Sequence, residues 1–512
     1  MVTTLITTLE AAHEEYLGDE SKMKGQGSSI SFPKTKKEVM AIVNEMIGSS
    51  ISITVQGGNT GICGGAVPLR GHVLNLSCMN KFLGLRKTVT GYSIIVQAGL
   101  RLSELEKQLN KKTFDSSDWD EESQNVVKTY EVDKAYFWPP APTETSATIG
   151  GILATNAQGI CGHLYGDTKQ YVEEICLIDS HGKELTIPRN KYMINNNQCI
   201  LPNKEILNVN TDSLKLPMDA DLIDLYLGSE GMYGIIVSAT LSLIERPEEV
   251  WGIGFFFEAQ DNIFKFVEEL RLVDYKQNKA AIAAVEYLDK STLDNIQQLK
   301  KVATKLQELP DVAEKYIGMI YIELHGRNDC EIESIAEKLM RLAIDHGSDE
   351  ESSWALIGKN EIEKIRAFRH AAPESINIAL ERAKLLDNRI MKLSTDIIIN
   401  EKSFGEIIAM YQKDLMDKGI KFAIFGHVKG NHVHVNILPE NYKEYVMGKK
   451  IIEKWVINTY MEGGIVFGEH GVGKIKKELF RMVTKSEALR NIHNIKKTLD
   501  PNSSFNPGNM FD

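Results

Sequence analysis

The chain has 512 residues, 43% apolar and 25% charged, with a formal net charge of −11. That length exceeds one ordinary hydrophobic core, so two or three globular domains are expected. The acidic balance excludes a polyanion as the main partner, because nucleic-acid binding needs a basic footprint.

From the N-terminus, MVTTLITTLEAAHEEYLGDESK lacks a basic n-region, an apolar h-region and a small-residue cleavage site, so no signal peptide is expected. No run of about 18 apolar residues occurs, so no spanning helix is expected. The cysteines Cys63, Cys78, Cys161, Cys176, Cys199 and Cys330 form no C-x-x-C pair. This argues against a zinc ribbon or a cysteine-held iron–sulfur cluster. Their scatter suggests reduced, mostly buried thiols of a cytoplasmic protein.

From Ile51 to about Glu245, short β-like runs (ISITVQGG, HVLNLS, YSIIVQAG, YGIIVSATLSLIE) alternate with glycine-rich turns. The polar, acidic stretch from Lys111 to Lys134 is expected to be a surface insertion with nothing in it to fill a core. Composition changes after Arg246-Pro247. WGIGFFFE is predicted as a strand, followed by a helix burying Ile263, Phe266, Val267 and Leu270. YIGMIYIELHG is the next strand, followed by a helix burying Ile332, Ile335, Leu339 and Leu342; RIMKLSTDIII and KFAIFGHV are further strands. Strands with helices between them suggest a helix-covered sheet, an α+β cap. The last fifty residues turn glycine-rich again.

Between Val55 and Pro68 the sequence QGGNTGICGGAV carries five glycines within nine residues. Glycine costs backbone entropy, so something must require it: either a tight multi-turn loop or a row of bare N–H groups facing a pyrophosphate. Trp138–Gly151 (WPPAPTETSATIGG), Ala154–Gly159 (ATNAQG) and Leu227–Ile236 (LGSEGMYGII) follow. None fits the Rossmann or P-loop fingerprint, which implies another nucleotide fold. A second constellation is Phe425–Asn436 (FGHVKGNHVHVN), followed by Gly468–Gly473 (GEHGVG). Of twelve histidines, four lie here. His432 and His434 are two apart in a β-like run and share a face, and the Lys-Gly-Asn turn could fold His427 back toward it. Imidazoles with a carboxylate are a common catalytic metal set; hydrogen-bonded histidines in a buried hairpin are the structural alternative. The lysines Lys474, Lys476 and Lys477 suggest mainly a solvated helix start.

The order GGNTG…GGAVP, PPxPTE…IGG, ATNAxG, YGD, GSEG, GEHGxG and NPG closely resembles the FAD-linked oxidases, which share the vanillyl-alcohol oxidase and p-cresol methylhydroxylase fold. Within them it resembles the 2-hydroxy-acid dehydrogenase branch of D-lactate, glycolate and D-2-hydroxyglutarate dehydrogenases. The resemblance runs from about residue 30 to the C-terminus. It implies an α+β protein with a two-part FAD-binding domain and a substrate cap: residues 1–247 with the insertion at about 111–134, the cap at 248–460, and a returning segment at 461–512. By motif match, Gly57, Gly58, Asn59, Thr60 and Gly61 would face the pyrophosphate. Thr143, Gly150, Gly151, Asn156, Gly228 and Glu230 would line the rest of the cleft, and Asn506 would approach the flavin ring. Each of these also fits a turn or packing role. Ile62 and Cys63 stand where relatives carry a covalent histidine link, so non-covalent FAD is expected.

The resemblance further implies a divalent ion (Zn, Mn or Fe) on His427, His434 and Glu469, with His470 as the base and His432 either supporting the ligands from behind or serving as an alternative ligand. Relatives often carry Gly-Asp after the first histidine; Lys429-Gly430 stands here instead. Arg369 matches the arginine that binds the substrate carboxylate in bidentate fashion, with Arg366 as fallback and Lys392 as a second positive group. Lys476 occupies a family lysine position. The implied reaction is oxidation of a small, D-lactate-like 2-hydroxy acid to the 2-oxo acid, with electrons leaving to an electron-transfer flavoprotein, a quinone at the membrane surface or another redox protein. The expected setting is cytoplasmic, or peripheral at a membrane without a span, and a homodimer is compatible. The rivals are an alkyl-glycerone-phosphate synthase-like flavoenzyme, an oxidase using dioxygen, and a non-catalytic flavin electron-transfer subunit.

Overall fold

The computed structural model describes residues 5–272, 280–308 and 311–511. The chain divides into two compact units: Met1–Gly159, Asp167–Arg246 and Glu469–Asp512 form the first, and Ile160–Gly166 with Pro247–Gly468 form the second.

The first unit opens on a β-α-β crossover. Ser29–Ser31, His72–Asn75 and Ile53–Gln56 pair in parallel, and helix Lys36–Gly48 connects them, burying Val39, Ile42, Val43 and Met46. A capping box starts this helix: Thr35 Oγ1 accepts the N–H of Glu38, whose side chain returns to Thr35. A second, antiparallel sheet runs in the order Phe82–Lys87, Tyr92–Gln97, Ile235–Glu245, Val172–Ile178, Glu184–Pro188. The C-terminal segment rejoins the first sheet, with Phe505 bridging Ile53 in parallel.

The stretch expected to contribute nothing to a core does contribute. Glu121–Val132 is a helix capped by Asp120, and Trp119, Val127 and Tyr130 join the core around Tyr92 and Ile94. Its buried residues Ser123, Val127 and Tyr130 share one face, so average polarity misjudged it. The cysteines also differ from expectation: Cys63 and Cys199 are buried, but Cys330 is exposed.

The second unit is a seven-stranded antiparallel sheet in the order Trp354–Ile357, Glu249–Phe257, Gly318–Gly326, Ala281–Asp289, Phe422–His427, Val433–Ile437, Leu393–Ser394. Helices Gln260–Leu272 and Asp329–Asp345 bury their expected apolar stripes, except that Ala343 rather than Leu342 completes the latter. RIMKLSTDIII keeps only Leu393–Ser394 as strand. The ladder stops because Thr395 uses its side chain: Oγ1 accepts from Val435 N at 2.9 Å and donates to Val433 O at 3.2 Å.

Candidate functional site

In the first unit the glycine loop follows strand Ile53–Gln56 directly. A Cβ on Gly57 would lie 2.1 Å from Thr148 Oγ1, and one on Gly58 2.7 Å from Ser146 O. The bare backbone therefore packs against the turn before helix Ile149–Thr155, where Thr148 accepts from Gly151 N at 3.3 Å. Thr143 lies half-buried in the preceding proline-rich stretch. Asn59 (φ 55°), Asn156 (φ 50°) and Gly228 (φ +83°) take left-handed backbone at the loop corners.

Glu230 and Asn506 organise the remainder. Buried Glu230, itself at φ 53°, accepts from Val472 N at 2.6 Å and Gly473 N at 2.9 Å. Burial raises its carboxyl above the usual range. Asn506 Oδ1 accepts from Val55 N at 2.7 Å, while its Nδ2 donates to Glu230 O at 2.6 Å. One asparagine thus ties the strand before the glycine loop to the GSEG turn, and one glutamate ties that turn to the C-terminal GVG. The Cys63 thiol donates to Gly471 O at 3.3 Å. The expected solvated lysine start needs correction at Lys474: its ammonium donates to Gly64 O and Gly65 O, both at 3.3 Å, and desolvation lowers it to about 8. Sequence spacing could not show it folding back onto a loop some four hundred residues earlier. Glu469 and His470 open this C-terminal segment, with His470 Nε2 3.3 Å from Glu469 Oε1.

In the second unit the turn at Lys429–Asn431, with Gly430 at φ 66°, joins strands Phe422–His427 and Val433–Ile437. It gathers three imidazoles: ring centroids are 5.6 Å apart for His427–His432, 6.0 Å for His427–His434 and 5.0 Å for His432–His434. Each ring has an oxygen partner. His427 Nδ1 meets Glu286 Oε1, His434 Nδ1 meets Thr395 O at 3.3 Å, and His432 Nε2 meets Asp396 Oδ1 at 3.0 Å. Gly468 N donates to Asp396 O at 3.1 Å. His432, His434 and Asp396 can present ligand atoms within 4.8 Å of one another.

Arg369 is buried on helix Lys359–Leu386, and its Nε and Nη2 donate to Glu286 Oε2 at 2.9 and 2.8 Å. Burial alone would raise the Glu286 carboxyl; His427 and Arg369 outweigh it and hold the group well below the usual range. Arg366, one turn earlier, pairs with Glu323 through both oxygens, Nη2 donating to Oε1 at 2.6 Å and Nε to Oε2 at 3.3 Å, and Glu323 also accepts from His325 Nε2 at 2.8 Å and Tyr321 OH at 2.6 Å. Lys392 Nζ donates to Asn377 Oδ1 at 3.1 Å. Asp396, Glu286 and Glu323 escaped the sequence reading. A signal did exist for two of them: Glu286 and Glu323 are lone acids inside the apolar runs AIAAVEYL and MIYIEL, and such acids are rarely buried unless paired.

The fold and these motifs match a known family. Residues 253–510 match the model for FAD linked oxidases, C-terminal domain, and residues 28–120 match an FAD binding domain. The chain belongs to the FAD linked oxidases and is an FAD-dependent oxidoreductase. It is 24% identical to a D-lactate dehydrogenase of Anaerostipes hadrus, covering 97% of this chain and 93% of that protein. It is also 24% identical to glycolate oxidase subunit GlcD of Bacillus subtilis (94% and 88% covered) and to a D-2-hydroxyglutarate dehydrogenase of Xanthomonas citri (94% and 89% covered). Among solved structures, p-cresol methylhydroxylase with substrate bound superposes with a TM-score of 0.69 at 14% identity, covering 100% of this chain and 94% of that one. An alkyldihydroxyacetonephosphate synthase superposes at 0.61 with 17% identity, covering 94% and 77%. Both likenesses show the fold. Among the described residues no helix is long and apolar enough to cross a membrane.

Proposed function

We propose that this flavoenzyme oxidises a small, D-lactate-like 2-hydroxy acid to the 2-oxo acid, aided by a divalent ion, and passes the electrons to an external redox partner. The relatives support the substrate class, since lactate, glycolate and 2-hydroxyglutarate share the 2-hydroxy-carboxylate group. The observation that carries the metal reading is the histidine geometry. An Nδ1–H donated to oxygen, as at His427 and His434, fixes the tautomer whose Nε2 carries the lone pair. These two rings and His432, whose Nε2 instead meets buried Asp396, lie 5.0 to 6.0 Å apart, which suits an N/O-ligated ion.

In this reading His427, His434 and Glu469 hold the ion, with His432 braced by Asp396. Gly57, Gly58, Asn59, Thr60 and Gly61 face the FAD pyrophosphate; Thr143, Gly150, Gly151, Asn156, Gly228, Glu230 and Asn506 shape the cleft. Cys63 is buried and bonded to Gly471 O, which suits FAD held without a covalent link. When bound, FAD supplies the hydride acceptor and the ion lowers the pKa of the substrate hydroxyl. His470 takes the hydroxyl proton. Arg369 and Lys392 orient the substrate carboxylate.

The test is a panel of 2-hydroxy acids with an artificial dye acceptor, using chelator-treated and metal-supplemented protein. Dye reduction by a 2-hydroxy acid, lost on chelation and restored by Mn²⁺ or Zn²⁺, is the expected outcome. Full activity in thoroughly metal-free enzyme refutes the metal, and inactivity toward every acid refutes the substrate class.

A further inference from the structure

Glu286 stands directly opposite His427 across the antiparallel pair Ala281–Asp289 and Phe422–His427. Its side chain is 1% exposed. One oxygen, Oε1, accepts from His427 Nδ1, and the other, Oε2, accepts both Nε and Nη2 of Arg369 at 2.9 and 2.8 Å. A single carboxylate therefore bridges the expected metal-ligating histidine and the expected carboxylate-binding arginine. We propose that Glu286 is a positioning residue that couples the two, fixing the His427 tautomer for ion binding while setting the edge of Arg369 offered to substrate. This rests on the metal reading above.

Two arguments separate this role from plain packing. A buried Arg–Glu pair is weak evidence of stabilisation, since apolar residues of like volume often serve as well; a bridge to a third, ligating side chain needs the carboxylate itself. The neighbouring strand supplies a built-in comparison. Glu323 is equally buried and pairs with Arg366, but its imidazole partner is His325, which lies outside the expected ligand set.

The variant Glu286→Gln makes the distinction chemically. An amide has one acceptor side and one donor side, whereas both partners of Glu286 present donors. Arginine has no acceptor, so the amide oxygen stays on Arg369 and the NH₂ turns to His427, whose ring can exchange donor for acceptor. The ring then accepts at Nδ1 and carries its proton on Nε2, which opposes ligation.

The experiment titrates Mn²⁺ and Zn²⁺ into chelator-treated, FAD-loaded protein by calorimetry, for wild type, Glu286→Gln and Glu323→Gln. Ion affinity is expected to fall about 10–100-fold in Glu286→Gln with FAD content unchanged, and to stay within about twofold of wild type in Glu323→Gln. The KM for a 2-hydroxy acid rises in Glu286→Gln alone. Where the glutamine variant does not fold, Glu286→Asp keeps the charge but is one methylene too short to reach both partners, and the same direction is expected. Wild-type ion affinity in the folded Glu286 variant overturns the inference while leaving the metal reading intact. An equal loss in Glu323→Gln also overturns it, by showing general loosening. A wild-type protein that binds neither ion overturns the metal reading, and the inference with it.

Discussion

Removing Arg369 tests stability before it tests recognition. In Arg369→Met the aliphatic stem is replaced, but Glu286 keeps only the His427 ring N–H as a partner at a position 1% exposed. Breaking a buried pair by deleting one member costs about 3–5 kcal/mol, because a charge is left uncompensated. At roughly 2–4 °C per kcal/mol for a unit of this size, the cap transition should fall by about 6–20 °C. Arg366→Met is the control: its side chain is 38% exposed, and Glu323 retains Tyr321 OH and His325. Its cost should be nearer that of a charged hydrogen bond, about 1.5–3 kcal/mol. Thermal melts followed by circular dichroism and tryptophan fluorescence give both values. In the double variant Glu286→Gln/Arg369→Met, removing the orphaned charge should recover part of the loss. An Arg369→Met protein that melts with wild type, or a double variant that melts below it, refutes the reasoning.

The purified protein should be yellow and release FAD into the supernatant on denaturation; flavin that stays with the precipitated chain would refute the non-covalent assignment. His470→Asn should slow anaerobic flavin reduction by a 2-hydroxy acid roughly 10²–10⁴-fold with FAD retained, and a wild-type rate in stopped-flow would remove His470 as the base. His72 lies fully buried between Ser29 Oγ and Ser31 Oγ, both at 2.9 Å, and burial lowers it from 6.5 to about 4. The unfolded chain therefore takes up this proton near pH 6.5 and the folded chain only near 4. The contribution is fully present above pH 6.5 and is lost as pH falls through about 4, on the order of 3 kcal/mol. A His72→Asn variant should show a shallower stability slope across that window, and an unchanged slope would refute this account.

What the sequence revealed, and what it hid, follows the range of the interactions. The strands around the glycine loop and the helix Gln260–Leu272 are written in local periodicity, so chain order alone exposes them. The histidine hairpin was visible for the same reason: His427, His432 and His434 fall within eight residues. Their partners were not. Glu286 lies 141 residues from His427 and 83 from Arg369, and Asp396 is 36 from His432. Only the strand order of the second sheet brings these acids in. The helix Glu121–Val132 was hidden differently, because Trp119, Val127 and Tyr130 are too few to register in an average yet enough to bury one face.

On the proposed reading, the paired arginines bear on how a carboxylate substrate would be held. Arg366 and Arg369 are one turn apart on helix Lys359–Leu386 and so share a face. Opposite them, Glu286 and Glu323 come from adjacent strands, where Glu286 is registered with Tyr321 and Glu323 with Ala284. Each guanidinium thus meets a fully buried carboxylate, and each pair is close to neutral overall. A substrate carboxylate approaching Arg369 feels the arginine and Glu286 together, so the long-range field largely cancels and what remains is directional hydrogen bonding. Such an arrangement orients a carboxylate better than it attracts one. Net attraction would then have to come from charge that is not already paired, and the divalent ion of the proposed site is the natural source. On this view Glu286 serves both ends of the site, restraining the arginine to an orienting role while holding His427 in the tautomer that can bind the ion.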